Sequence, residues 1–347
     1  MRVCFVVAAV REQQPTFATI QLALAAHRRG HDVRFVSVDD LSFLDDNNVL
    51  GMTTRVRAGQ YPRPADYAAA LASEEAVVEE DTIGSFDVVF LRYNPVREGV
   101  LHASAPLIDF GWRLKLGGAL VVNDPEGLRR AGSRMYLADF PADVRTRTLV
   151  SRSKKRLREF VRELDAPAVL KPLSPRGDEN VFYVRRRQIS NLNQIISTVT
   201  KEGYAVAQEY LPEIEEGEKR LLLLNAEPIR AGKKVAIYLR RPAHVAGVVR
   251  ATSTIPPRRK CAFGAVEQRI CDILRPKLLA DGLHFVGVDI VGDKILELNV
   301  FTPGGIHSIH ELYGLDVADI VIRDLERRVR LRAAYRTTFD PEAADVV

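Results

Sequence analysis

Residues 285–300, FVGVDIVGDKILELNV, decide how the rest of the chain is read. Apolar residues alternate with Asp289, Glu297 and Asn299 in two runs separated by a turn signal at Val291-Gly292-Asp293, the pattern of a β-hairpin. Glu297 and Asn299 are two apart, so they leave the second strand on one face. Asp289 joins them if the connection holds an odd number of residues or if a bulge corrects the register. A three-residue loop at 291–293 is the expected solution. Three oxygen-bearing side chains then converge in an otherwise apolar hairpin. Such a set suits Mg²⁺, which takes one or two carboxylates and completes its shell with phosphate oxygens and water. A surface hairpin with its polar face in water fits the same residues, so the neighbouring stretches must decide.

The chain has 347 residues, 46% hydrophobic and 27% charged, a globular profile long enough for two or three cores. No apolar run approaches the roughly 18 residues of a membrane span. The opening MRVCFVVAAV is broken by Arg11 and Glu12, and no small-residue cleavage site follows. It reads as a first buried strand and not as a signal peptide. Cys4, Cys261 and Cys271 have neither paired nor metal-ligand spacing. These features predict a cytoplasmic protein with no membrane partner. Net charge is +5, with arginine clusters at 185–187 and 240–241. They are scattered and lack interleaved aromatics, so an anionic small substrate and solvated arginines explain them better than nucleic acid does.

Residues 1–125 alternate strand signals (3–8, 33–38, 87–91, 119–122) with helix signals (17–27, 106–115). That alternation predicts an α/β unit with a small parallel sheet. No G-x-G-x-x-G follows the first strand, so the dinucleotide fingerprint is absent. The stretch 42–81 reads as an excursion carrying a helix near 65–76. Arg92-Tyr93-Asn94-Pro95 falls just past a strand's C-terminal end, where open α/β sheets bind ligands, although a proline-ended turn fits as well. Residues 9–14 stand in the same relation to the first strand. Residues 126–212 show a basic amphipathic helix at 153–164, strands at 168–171, 181–184 and 205–209, and a helix at 190–201. This pattern predicts a small sheet with two helices on one face. Residues 213–332 hold strands at 219–224, 227–229 and 235–239, a helix at 265–280, the hairpin and a helix at 315–328. Residues 333–347 read as a frayed tail.

Lys171 closes an apolar strand, where an ammonium is costly unless an anion such as a triphosphate meets it. A lysine snorkelling from a strand end is the plain alternative. AQEYLP at 207–212 reads as a strand running into an interdomain hinge. There the backbone of Glu209, Tyr210 and Leu211 can read an adenine edge and a nearby acid can hold a ribose hydroxyl; a simple strand end fits too. Glu218 and Arg220 share one strand face. Arg240 and Arg250 bracket an irregular segment and can clamp a carboxylate bidentately, or stand in solvent.

Taken in order, VLKPLS (169–174), AQEYLP with EEGEKRLLLL (207–224) and FVGVDIVGDKILELNVFTPGGI (285–306) resemble the ATP-grasp ligases, and most of all the bacterial glutathione synthetases. QLALAAHRRGHDV (21–33) and VND (122–124) resemble that family's N-terminal substrate domain, and the likeness runs to about residue 330. The resemblance implies three domains, 1–125, 126–212 and 213–332, with ATP between the second and third and a tail at 333–347. It implies that Arg134, Lys171, Gln208, Glu209, Tyr210, Leu211, Glu218 and Arg240 bind ATP. Asp289, Glu297 and Asn299 would hold Mg²⁺ or Mn²⁺, and Arg220 and Arg250 would serve the reaction. The implied chemistry is phosphorylation of a carboxylate by ATP, then attack of an amine on the acyl phosphate, with amino acids or short peptides as substrates and a homo-oligomeric enzyme. Such chemistry needs charge neutralisation and no covalent nucleophile, and the sequence offers no convincing Ser-His-Asp or Cys-His arrangement.

The family pattern changes over the phosphates. Residues 174–180, SPRGDEN, carry one glycine, so fewer close backbone approaches to phosphate are available. Residues 250–254, RATST, lack the family's Asn and paired glycines, and Arg134 stands for a lysine. A related carboxylate–amine ligation is therefore the first reading. Glutathione formation itself, or a non-catalytic nucleotide- or peptide-binding homologue, is the alternative.

Overall fold

β1 (Arg2–Val7) is buried because it runs down the middle of a sheet covered on both faces. Val3, Phe5 and Val7 enter one core while Cys4 and Val6 enter another, as the period of two requires. α1 (Ala18–Arg28) covers one face and ends where Gly30 turns the chain at φ +79°. β2 (Asp32–Phe43) and β5 (Val88–Leu91) flank β1 in parallel, and β6 (Leu120–Val122) adds in parallel to β5. The computed structural model describes residues 1–44, 48–93, 104–173, 180–185, 191–201, 203–240, 244–245, 248–249 and 258–338.

The stretch expected to be an excursion holds β3 (Val49–Arg55), α2 (Pro64–Ala72) and β4 (Val77–Thr82). β3 and β4 extend the sheet antiparallel, giving the order β4-β3-β2-β1-β5-β6, so the sheet is mixed and not purely parallel. β4 is the half-exposed edge strand, and its VVEEDT has the polarity of a loop, whereas β3 lies between β4 and β2. α3 (Ser104–Leu116) and α4 (Pro125–Ala131) complete this unit, α4 being capped by Asp124, whose carboxylate accepts from Glu126 and Gly127 N–H.

The second sheet is antiparallel, in the order β7-β10-β8-β9, from β7 (Thr148–Ser151), β8 (Ala168–Pro172), β9 (Phe182–Val184) and β10 (Ala205–Glu209). α5 (Lys154–Glu163), N-capped by Ser153, and α6 (Leu192–Val199) lie together on one face. They share a core of Leu157, Val161, Ile196 and Val199 with Leu170 and Ala207. Alternation then turns Val169, Lys171, Val206 and Gln208 to the other face.

The third sheet is antiparallel too. β11 (Glu218–Leu224) lies between β12 (Glu227–Pro228) and β18 (Phe285–Val291), β15 (Ile237–Arg240) also pairs with β11, and β19 (Lys294–Asn299) closes on β18. Two short ribbons, β13 (Arg230–Ala231) with β14 (Lys234–Val235) and β16 (His244–Val245) with β17 (Val248–Val249), stand apart. α7 (Ala265–Ala280), α8 (Ile306–Tyr313) and α9 (Val317–Thr338) follow. α9 carries on through residues expected to fray, with Leu325 and Arg332 buried. Residues 339–347 of the expected tail lie outside the described residues.

The first and third sheets share their cores. Phe5, Ile20 and Leu22 pack with Leu222, Tyr238, Ile309 and Val321, and Val6, Leu91 and Leu128 with Leu221, Val288 and Leu274. Arg29 on α1 ties to Glu326 at 2.8 Å and Asp319 at 3.0 Å on α9. The second sheet keeps a core of its own. Among the described residues no helix is long and apolar enough to cross a membrane.

Candidate active site

A cavity of about 750 Å³ lies between the second and third sheets. One wall is the helix-free face of the second sheet. Lys171 Nζ donates to Gln208 Oε1 at 3.1 Å, and the buried Gln208 amide donates in turn to Thr146 Oγ1. Arg134 arrives from the 3₁₀ turn after α4 and donates Nη1 to the Pro172 carbonyl at 2.8 Å, the residue next to Lys171. Two cations therefore share one rim.

At the end of β10 the Glu209 N–H donates to the Arg147 carbonyl and the Tyr210 N–H to the Pro167 carbonyl, both at 2.9 Å. Two of the three N–H groups expected at the hinge are thus committed within the protein. Tyr210 stacks edge-on against Tyr183 with centroids 4.7 Å apart, and burial pushes its phenol up to about 12.

The opposite wall is built by strand register. Arg220 faces Asp289 across β11 and β18, and Asp289 faces Glu297 across β18 and β19. The three stand in one row. Asp289 is 0% exposed. It receives Arg220 Nε and Nη2 (2.7 Å for Nη2), Arg240 Nη2 at 3.1 Å and Asn299 Nδ2 at 3.1 Å. Burial alone would raise its carboxyl, but the Arg220 and Arg240 charges outweigh that and hold it below the usual range. Glu218 faces Arg240 across β11 and β15 and lies against its guanidinium. Burial, reinforced by the charge of Asp289, pushes Glu218 up to about 7 despite both arginines.

The three hairpin side chains do converge, by a route other than the expected loop. Val291 pairs with Lys294, so the turn is the two residues Gly292-Asp293, with Gly292 at φ +57°. The register then slips between Asp289 and Ile290, leaving Leu296 as a bulge that restores Asp289 opposite Glu297. A left-handed glycine makes the tighter turn accessible, and the extra residue moves into the strand.

Ten of the expected residues line the cavity: Arg134, Lys171, Gln208, Glu209, Tyr210, Leu211, Glu218, Arg240, Glu297 and Asn299. Arg220 and Asp289 stand behind that lining in the buried row. Arg250 lies outside the described residues, as do 174–179 of the glycine-poor loop. Thr146 and Arg258 also line the cavity and were not anticipated. Thr146 carries no motif. Arg258 falls between the strand signal at 235–239 and the helix signal at 265–280, and its hydrogen bond to Ser308 crosses 50 positions of sequence.

The donor set fits a hard divalent cation. Asp289, Glu297 and the Asn299 amide offer only oxygen, and Glu297 is exposed where β19 lines the cavity. Among the described residues no group of three His, Cys, Asp or Glu side chains is placed to hold a metal. Such an ion would therefore depend on Asn299 and on ligand oxygens as well, the habit of Mg²⁺ rather than of a protein-caged metal.

Two antiparallel sheets closing on a cavity, with cations on one side and a carboxylate hairpin on the other, define an ATP-grasp ligase, an ATP-dependent enzyme that forms amides and releases ADP. The model of the prokaryotic glutathione synthetase ATP-grasp domain matches residues 133–314, and that of the prokaryotic glutathione synthetase N-terminal domain matches residues 1–129. The chain belongs to the prokaryotic glutathione synthetase family, whose members use ATP and a divalent metal. It is 33% identical over 337 residues to the glutathione synthetase of Synechococcus elongatus, covering 95% of this chain and 99% of that one. It is 32% identical over 341 residues to that of a Synechocystis species, covering 94% and 100%. In fold it is similar to the D-cycloserine synthetase DcsG, with a TM-score of 0.62 at 16% identity, covering 94% of this chain and 99% of the other.

Proposed function

We propose that this ligase joins the carboxylate of one amino-acid or short-peptide substrate to the amine of another through an acyl phosphate, with ATP held between the second and third sheets. The observation that carries this reading is the Arg220–Asp289–Glu297 row with Asn299, set across one cavity from Lys171 and Arg134. Val150, Val169, Val206 and Leu298 supply apolar surface for a purine. With the Glu209 and Tyr210 N–H groups committed, the Leu211 N–H is the hinge donor to the adenine edge and the Glu209 carbonyl its acceptor. Glu218 takes a ribose hydroxyl. Lys171, steadied by Gln208, and Arg134 meet the phosphates, with Arg240 at the same wall. Asp289, Glu297 and Asn299 hold Mg²⁺, or Mn²⁺ in its place, which when bound neutralises charge on the triphosphate.

The substrate carboxylate attacks the γ-phosphorus and ADP leaves. The amine then attacks the acyl carbon, phosphate leaves and the nitrogen loses its proton. Both steps develop negative charge on phosphoryl oxygens, which Lys171 stabilises directly, while Arg220, behind the lining, acts through the Asp289 carboxylate that it holds. Arg250 keeps the part in the reaction that the family likeness gives it. The deciding experiment is ADP and phosphate release over a panel of amino acids and dipeptides that includes γ-glutamylcysteine with glycine, followed by mass spectrometry of the product. Release is expected only with Mg²⁺ and with carboxylate and amine supplied together. A panel in which no pair exceeds background contradicts the reading.

A further inference from the structure

β5 ends at Leu91 and passes the next residue, Arg92, into the interior at 7% exposure. Its Nε donates to Thr19 Oγ1 at 3.2 Å and its Nη2 to the Pro303 carbonyl at 3.3 Å. Both acceptors are neutral, and among the described residues no carboxylate pairs with this guanidinium. Two other buried arginines differ: Arg34 is paired with Asp32 and Glu79, and Arg220 with Asp289. Burial, with no acid to offset it, pushes Arg92 down to about 9.

The surroundings add more charge of the same sign. Thr19 is the second residue of α1, and Pro303 lies two residues before Gly305, the N-cap of α8. The positive ends of two helices therefore flank a buried cation. An arrangement with every field of one sign is unfavourable until an anion enters it. Position says which anion. Asn299 and Thr302 line the cavity, and Pro303, whose carbonyl Arg92 holds, is the very next residue. Arg92 is also at the C-terminal end of a parallel strand, where open α/β sheets receive ligands.

We propose that Arg92 anchors a spectator carboxylate of the amino-acid or peptide substrate, one that is not activated, and so aims the reacting end at the hairpin. The proposal rests on the ligase reading above. Amino acids and short peptides carry such a carboxylate besides the group that reacts, and two of the five N–H groups of Arg92 are used among the described residues, leaving donors for a bidentate contact. The shared chemistry is a carboxylate, whether on the amine substrate or on the activated one.

The test is calorimetric binding to the full chain loaded with Mg²⁺ and AMP-PNP, which needs no turnover. The probes are glycine against glycinamide and γ-glutamylcysteine against 4-aminobutyryl-cysteine, each pair differing by one carboxylate. One carboxylate-bearing probe is expected to bind the wild type and to weaken by about ten- to a hundredfold in Arg92→Gln, with AMP-PNP affinity unchanged. Its carboxylate-free partner binds wild type and variant alike. Arg92→Lys recovers part of the affinity, and carries the test should Arg92→Gln fold poorly. Loss in the glycine pair assigns the carboxylate to the amine substrate, and loss in the dipeptide pair to the activated one. The proposal is overturned if no probe binds the wild type, if every probe binds both proteins equally, or if all probes and AMP-PNP weaken together. Binding that depends on Arg92 without ADP release from any pair sinks the ligase reading and leaves the anchor standing.

Discussion

Two sheets face one cavity and hold their charged groups in opposite ways. On the second sheet Lys171 rests against the neutral amide of Gln208, and Arg134 against a carbonyl. On the third, Arg220, Arg240, Asp289 and Glu218 neutralise one another in a buried cluster. Lys171 is a half-buried residue of the cavity wall, and its removal leaves the buried charges of the third sheet as they are. A cluster of opposite charges keeps its field internal until a cation and a phosphate redistribute it, and buried ion pairs contribute little net stability in return. Function is therefore separable from stability at the cavity-facing Lys171 and Glu297, and in the buried row of the third sheet it is not.

That contrast can be broken most directly at Asp289. Asp289→Ala leaves Arg220 buried without its carboxylate and takes one of two acids from the half-exposed Arg240, and is expected to lose about 3–5 kcal/mol in urea unfolding. Lys171→Met, by comparison, should leave unfolding within about 1 kcal/mol of wild type. Equal losses in the two variants would erase the distinction. Lys171→Met and Glu297→Gln should each lower kcat for ADP release by about 10²–10³-fold with the melting temperature held.

Gln208→Leu sharpens the comparison on a smaller scale. It removes an acceptor of Lys171 and a donor to the Thr146 hydroxyl. KM for ATP should rise about tenfold and stability fall by about 1–3 kcal/mol, measured in the same two assays. The smallest effect is a pH dependence. Glu218, pushed up to about 7, binds its proton more tightly folded than unfolded. Its contribution is complete below its ordinary pKa and is lost as pH rises through about 7. The melting temperature of the wild type relative to Glu218→Gln should accordingly fall between about pH 5 and pH 8; a difference that stays flat across that window contradicts the burial assigned to Glu218.

The readable part of the site was the part that short-range periodicity controls. A period of two put Glu218 with Arg220, and Glu297 with Asn299, on one face of the third sheet. The hairpin residues were legible while their turn was not, because a bulge at Leu296 and a longer loop satisfy the same alternation. β4 was missed because an edge strand facing water carries the polarity of a loop, and β3, VLGMTTR, because Gly51 and its polar second half break the apolar alternation. α9 was cut short because RLRAAYRTT looks solvated residue by residue, although Arg332 is buried. Thr146, Arg258 and the burial of Arg92 depend on partners far away in sequence: Gln208, Ser308, Thr19 and Pro303. No local pattern encodes such contacts.

The most direct measurement is a crystal structure of the protein with Mn²⁺ and AMP-PNP, with the metal located by its anomalous signal. Manganese is expected between Glu297, Asn299 and Asp289, with phosphate oxygens completing its shell and reaching Lys171. Manganese bound elsewhere, or a nucleotide outside the cavity between the second and third sheets, would contradict the account.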